Sequence, residues 1–387
     1  MQPELIADCV HCGFCLPACP TYRLWNEEMD SPRGRIYLMQ ALVDGSISLG
    51  DTVVEHFDRC LGCMACVTAC PSGVQYDRLI ETTRAHVEQR HRRPAGERVL
   101  RGVIFSVFPH RRRLRVALLL RRLPAPGPLA ALRAVAPPWS APQRPPEHLP
   151  NSGPSVALVS GCVQSVVFGD VNTATARVLH AEGYDVHVPR TQSCCGALHA
   201  HAGRLDEGVR RARALARDLG GYDYVVTNAA GCGSHLKDHG IANAVDVSEL
   251  LTAPRAERRP LPLRVAFQDS CHLRHAQRLV DEPRALLDSI PGLERLEPTE
   301  QETCCGSAGI YNLVQPRTAA ELGERKARAV LATEPDAYAS ANPGCLVQVT
   351  AALRRQGRPL PAFHPIELLD ASIRGVDARE LLLGARR

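Results

Sequence analysis

The chain has 387 residues, 45% hydrophobic and 22% charged, with a formal net charge of +5. That balance excludes a disordered polymer and points to a soluble globular protein of two to three domains, at roughly 150 residues each. No run reaches about 18 apolar residues without a charge, so no membrane-spanning helix is expected. The first nine residues lack a basic segment followed by an apolar run, the mark of an export signal. The sixteen cysteines are therefore expected to be reduced thiols in a cytoplasmic protein rather than a disulfide framework.

Residues 1–90 carry the first cysteine pattern. Cys9, Cys12, Cys15 and Cys19 follow the spacing C-x2-C-x2-C-x3-C, with Pro20 next. Cys60, Cys63, Cys66 and Cys70 repeat it, with Pro71 next. This is the bacterial ferredoxin spacing given twice. Three thiolates from one short loop hold three corners of an iron–sulfur cube, and the fourth is carried away by the following proline to the other cube. The expected 4Fe-4S sets are crossed: Cys9, Cys12, Cys15 and Cys70 for one, Cys60, Cys63, Cys66 and Cys19 for the other. A pair of zinc sites has no use for a third and fourth cysteine at this spacing. The long segment between the motifs reads as helical, with Ser31-Pro32 starting a helix that Asp44-Gly45 ends. A helical ferredoxin arrangement is therefore expected instead of the compact β type.

Residues 91–154 read as a connector. Its first half, Val99–Leu123, alternates apolar clusters with arginine blocks, the pattern of a basic amphipathic helix. Such a helix lies either on an anionic membrane face, as a peripheral attachment, or on the protein with its arginines solvated. No stacking aromatics or nucleic-acid motif accompany the arginines, so no nucleic-acid partner is expected. The second half, from Pro124 to Pro154, is rich in proline and alanine and reads as a semi-rigid linker.

Residues 155–260 and 261–387 repeat one another. The first has Cys162, Cys194-Cys195-Gly196 and Cys232; the second has Cys271, Cys304-Cys305-Gly306 and Cys345. Short β-branched runs at Val156–Val159, Val186–Val188 and Tyr224–Val226 alternate with helical stretches at Val171–Ala181, Ala202–Leu219 and Ser234–Asp238. This predicts parallel βαβ units, with the single cysteines just past strand ends. The overall expectation is an α+β multidomain chain, with a helical dicluster ferredoxin domain followed by a pseudo-twofold α/β repeat.

The second pattern resembles the cysteine-rich, or CCG, domain of heterodisulfide reductase subunits and of the partners of many flavin-linked dehydrogenases. With the segments 9–22, 30–39 and 303–312, the chain resembles the family of glycolate oxidase iron–sulfur subunits. The iron–sulfur subunits of anaerobic glycerol-3-phosphate dehydrogenase and of lactate utilisation share the layout. The resemblance implies an electron-transfer subunit that is not catalytic alone. Its partners would be FAD-binding subunits oxidising glycolate, and D-lactate too, with a membrane quinone as acceptor. A rival reading is a CCG enzyme with chemistry on a cluster of its own.

In the heterodisulfide reductase pattern each half ends in C-x-x-C and supplies five thiolates. Here His235 and Gln348 stand at the last position, so the fifth thiolate is missing twice. Each half is left with three readings: a four-thiolate cluster, zinc (in the first half through cysteines and His235), or buried metal-free thiols. His11, His199, His201, His272 and His275 lie beside ligand loops and are expected to tune the clusters instead of binding them. No Rossmann fingerprint or P-loop is present, so hydride chemistry is expected from a partner.

Overall fold

The computed structural model describes residues 2–120 and 143–385. Most of the Pro- and Ala-rich linker, and the last residues of the Val99–Leu123 stretch, lie outside them.

The N-terminal part is helical: Pro3–Ala7, Pro20–Trp25, Pro32–Val43, Asp51–Arg59, Ala65–Ala69 and Tyr76–Arg90. Local chemistry sets these limits. The Ser31 side chain accepts the Gly34 N–H at 3.0 Å, Pro32 opens the helix, and Gly45 turns away at φ +72°. Leu79, Ile80, Thr83 and Val87 recur at helical spacing and bury one face of Tyr76–Arg90 against Ile36, Met39, Val54 and Phe57. That core holds the two cysteine loops side by side.

The connector forms two helices, Ala95–Val107 and Arg111–Leu120, in place of one continuous basic helix; the chain turns between them at Phe108–His110. Ile104, Phe105 and Leu114 are buried, while Val99, Val103, Val116, Leu119 and Leu120 are exposed.

The C-terminal part holds two sheets. The first is ordered β1-β3-β2-β4-β5, with β1 at His148–Leu149, β2 at Ser155–Leu158, β3 at Asp185–His187, β4 at Tyr224–Thr227 and β5 at Ala244–Asp246. The second is ordered β7-β6-β8-β9, with β6 at Arg264–Phe267, β7 at Glu294–Leu296, β8 at Ala337–Ala339 and β9 at Ala362–Phe363. All pairs are parallel except β1 with β3. β1, in the stretch read as linker, thus extends the first sheet. The predicted helix over Ala202–Leu219 forms as Leu205–Asp218, and a short helix the sequence did not suggest, Ala197–His201, precedes it; Gly203 at φ +89° separates the two.

The shared strand order makes the two halves pseudo-twofold copies. One core runs through both, from Val156, Leu158 and Leu179 to Val265, Phe267, Leu353 and Leu369. The helix Gly169–Ala181 packs on Pro365–Arg374, and Arg177 grips Asp370 with both arms of its guanidinium. No described helix is long and apolar enough to cross a membrane.

Candidate metal centres

The two N-terminal loops have the same backbone shape. Positive φ falls at the third and fifth positions of each motif, at His11 (53°) and Gly13 (88°) and at Gly62 (62°) and Met64 (63°). A non-glycine residue held there costs of order 1 kcal/mol. His11 and Met64 tolerate it because the loop must wrap a compact object.

Each loop lines a cavity. Cys9, Cys12, Cys15 and Cys70 lie around one, and Cys19, Cys60 and Cys63 around the other; Cys66 borders both. The proline after each motif starts or follows a helix end. Cys19 precedes the helix Pro20–Trp25, and Cys70 closes the helix Ala65–Ala69. Those helix ends turn the fourth cysteine of each motif toward the neighbouring cavity.

The two cavities differ in exposure. Cys12 is exposed, and Val10 and Phe14 stand out beside it at 69% and 66% exposure. Cys19, Cys60, Cys63 and Cys66 are buried. Burial pushes the Cys63 and Cys66 thiols well above their ordinary value, and neighbouring sulfurs add to it. Burial would raise Cys60 as well. The Arg35 and Arg84 charges, the Gly62 N–H at 3.4 Å and the Tyr76 hydroxyl at 3.6 Å reverse this and hold it below. Arg35 is fully buried. It donates to His56 O at 2.6 Å and Thr21 Oγ1 at 3.2 Å, pairs Asp30 at 3.3 Å, and lies 4.0 Å from Cys19 Sγ. A donor set of buried thiolates beside a buried cation and N–H groups suits an anionic iron–sulfur cube, whose potential such hydrogen bonds tune.

In the C-terminal halves the cysteines meet at strand ends. Cys162 follows β2 and Cys232 lies in the first turn of the helix Ala230–Asp238 after β4; these two strands flank the point where the strand order reverses, the usual ligand crevice of an open α/β sheet. The Cys194-Cys195 turn lies between them, with Gly196 at φ +93°. A Cβ on Gly196 would fall 2.3 Å from Gly208 O, so only glycine fits. Sulfurs pair Cys162 with Cys194 at 3.4 Å and Cys195 with Cys232 at 3.2 Å. The second half repeats this: Cys271 adjoins Cys304, and Cys305 lies 3.5 Å from Cys345. Contact with neighbouring sulfurs, together with burial, raises Cys162, Cys195, Cys304 and Cys345 well above the ordinary thiol value.

A tetrahedral zinc site needs four ligand atoms under about 4 Å apart. Among the described residues, the group of three such atoms within 4.8 Å of one another is His148, Asp185 and His187, not a cysteine set. The sulfurs of each half form one row, Cys162–Cys194–Cys195–Cys232 and Cys271–Cys304–Cys305–Cys345, each touching the next. A row spread beyond a tetrahedron's reach fits a wider, multi-iron object better than one zinc ion. His235 turns its Nε2 to Gly208 O at 3.3 Å, and burial drives it down to about 4. Gln348 donates to Ala319 O and accepts from Asn312. Both residues at the missing-thiolate position are thus engaged with protein groups.

The histidines read as tuning groups are placed unevenly. His275 contacts Thr68 Oγ1 at 2.8 Å, bridging to the helix Ala65–Ala69, and His272 Nδ1 lies 3.6 Å from Cys271 Sγ. His199 lies 3.2 Å from Glu207 and His201 lies 3.4 Å from Glu81. His11 offers its carbonyl to Arg33.

Leu61 and Cys63 share an apolar cluster with Cys304 and Tyr311, and Cys271 packs against it. The buried N-terminal cavity therefore adjoins the cysteines of the second half. Arg23 with Glu300, and Tyr311 Oη donating to Arg59 O at 3.1 Å, clamp the contact. Sequence reasoning missed Arg35, Arg84 and this contact. Arg35 had a signal, an arginine on the apolar face of a helix opened by Ser31-Pro32; the contact had none.

The 4Fe-4S dicluster domain family matches residues 5–74, and the cysteine-rich domain family matches 156–237 and 265–350. The chain is 37% identical to a probable glycolate oxidase iron–sulfur subunit of Bacillus subtilis (strain 168), over all of this chain and 95% of that protein. It is 34% identical to the glycolate oxidase iron–sulfur subunit of Escherichia coli (strain K12), over 96% of this chain and 95% of that one. A hypothetical protein from Helicobacter pylori shares the fold at TM-score 0.53 and 9% identity, over 92% of this chain and 70% of that chain.

Proposed function

Since the chain belongs to the family of glycolate oxidase iron–sulfur subunits, an oxidoreductase family with iron–sulfur clusters, we propose that it relays electrons from FAD-containing subunits oxidising glycolate toward a membrane quinone. D-Lactate is a second substrate of the same flavin chemistry. The chain is not catalytic alone, because iron–sulfur centres pass single electrons and accept no hydride.

The observation that carries this reading is the row of cysteine centres from surface to interior. Cys9, Cys12, Cys15 and Cys70 hold one 4Fe-4S cube at the exposed end. Cys19, Cys60, Cys63 and Cys66 hold the second inside, and Cys304 and Cys271 of the next set lie directly behind Cys63. The chain supplies thiolates, close spacing and exclusion of water, while Arg35 and the Gly62 N–H stabilise negative charge at the inner set. Exposed Val10 and Phe14 beside Cys12 are the face where a redox partner docks.

Each cysteine set of the repeat, Cys162, Cys194, Cys195 and Cys232 or its counterpart, takes a four-thiolate iron–sulfur cluster; sulfurs set in a row instead of a tetrahedron support this over zinc. Peripheral attachment to the cytoplasmic membrane face is supported by Val116, Leu119 and Leu120, exposed on a helix that opens with three arginines.

The test is reconstitution with candidate flavoprotein partners and a quinone analogue. Glycolate and D-lactate should turn over only when this chain is present. Turnover of glycerol 3-phosphate alone would move the chain to the sister system, and turnover by this chain without a partner would overturn the relay.

A further inference from the structure

A cavity of about 220 Å3 opens at the carboxyl ends of β2 and β3. Arg111, Arg112 and Arg115 line it from the helix Arg111–Leu120, with Arg144, Arg190 and Ser160 around the rest. No lining residue is acidic. Glu147 pairs Arg190, and Asp170 accepts the Gln143 N–H at 3.0 Å. Four guanidinium groups are left around the cavity without a paired carboxylate among the described residues. Residues 121–142 contain no aspartate or glutamate, so that segment brings no counter-charge either.

This arrangement opposes stability in three ways. Arg111 Nη2 is buried and has no hydrogen-bond partner among the described residues, which carries the desolvation penalty of an unmet charged donor. Arg111, Arg112 and Arg113 also occupy the first turn of their helix, at the positive end of its dipole, where cations are disfavoured. Burial, followed by the charge of Arg144, lowers Arg115, as expected of a cation with no counter-ion. An anion in the cavity would relieve all three.

We propose that this cavity binds a phosphate group. Guanidinium forks match phosphate oxygens two at a time, and several positive charges suit a group that carries up to two negative ones. The volume lies below the roughly 300–1,000 Å3 of drug-sized pockets, so it admits a phosphate with a small substituent and no nucleotide. Two sources present this group: a soluble phosphate and a phospholipid headgroup. The second is physically close, since Val116, Leu119 and Leu120 are exposed on the same helix. The Arg111 charge also acts on Cys162 and Cys194, so an occupied cavity alters the field at the first-half cysteines. The inference does not depend on the electron-relay reading.

The experiment uses the full chain with its clusters, purified anaerobically. Inorganic phosphate is titrated by calorimetry, and vesicles of phosphatidylglycerol or of phosphatidylcholine are tested by co-sedimentation. Arg111→Gln and Arg115→Gln should each weaken binding about tenfold, a change of about 1.4 kcal/mol. Arg113→Gln, which removes the same charge outside the cavity, should change it less than about twofold, since an exposed charge acts only through a screened field. Unchanged cluster absorbance and thermal midpoint serve as the folding control. Saturable binding of inorganic phosphate with this pattern supports the site with a soluble ligand. Binding only to phosphatidylglycerol vesicles, with the same pattern, supports it with a lipid source. Binding of neither probe overturns the proposal, and so does an equal loss in Arg113→Gln.

Discussion

Replacing Arg35 with leucine should damage the N-terminal part more than any surface arginine change. Arg35 and Asp30 are both fully buried. Asp30 receives Arg35 at 3.3 Å, His56 Nδ1 at 3.0 Å and Arg59 at 2.9 Å. Removing one partner of a buried ion pair leaves an under-compensated charge, at a cost of about 3–5 kcal/mol. It also strips the donor from His56 O. In a chain of 387 residues that corresponds to a fall in thermal midpoint of roughly 4–6 °C. The assay is calorimetry at one fixed scan rate under anaerobic conditions, because cluster loss makes unfolding irreversible. Adding Asp30→Asn to the leucine variant should restore a large share of the loss, since the stranded charge is then gone. Arg35→Lys should recover only part, because an ammonium cannot reach His56, Thr21 and Asp30 together. An unchanged midpoint in Arg35→Leu, or a double variant in which the two losses simply add, would refute the reasoning. The same variant should make the inner cluster harder to reduce, because a buried positive charge beside Cys19 and Cys60 is lost.

Cys19→Ser should disturb the electron paramagnetic resonance signal of the cluster expected on Cys60, Cys63 and Cys66; disturbance of the Cys9 loop's cluster instead would reverse the crossed assignment. Burial raises Asp246 to about 6, above its unfolded value. Its favourable contribution is therefore present below about pH 4 and lost as pH rises through about 6. Asp246→Asn should then stabilise the protein by up to about 3 kcal/mol at pH 8 and by little at pH 4, read from thermal midpoints. High salt should release the assembled complex from membranes by screening the arginine face, and complete solubility at low salt would count against attachment. Phe14→Glu should slow electron entry from the flavin partner while leaving the iron content unchanged, measured by stopped-flow reduction.

The cysteine spacing by itself determined the chemistry of this protein. Metal ligation needs fixed short intervals, and C-x2-C-x2-C-x3-C-P records the geometry of a loop around a cube in twelve residues. The helical character of the N-terminal part was legible for a similar reason: Ser31-Pro32 and Gly45 act within a few residues of themselves. The βαβ alternation of the repeat also showed, because the central parallel strands β2 and β4 are buried on both faces and must be apolar runs. The structure alone decided what depends on contacts between distant segments. Gly203 moves the start of the predicted Ala202 helix to Leu205, since its positive φ ends one helix before the next begins. β1 joins the first sheet from a stretch that looks like linker, because two residues suffice for a ladder and leave no pattern. Arg35 beside Cys60, Cys63 against Cys304, and the arginines drawn from three segments around one cavity are separated by tens to hundreds of residues. Such neighbours are set by packing, and packing has no period along the chain.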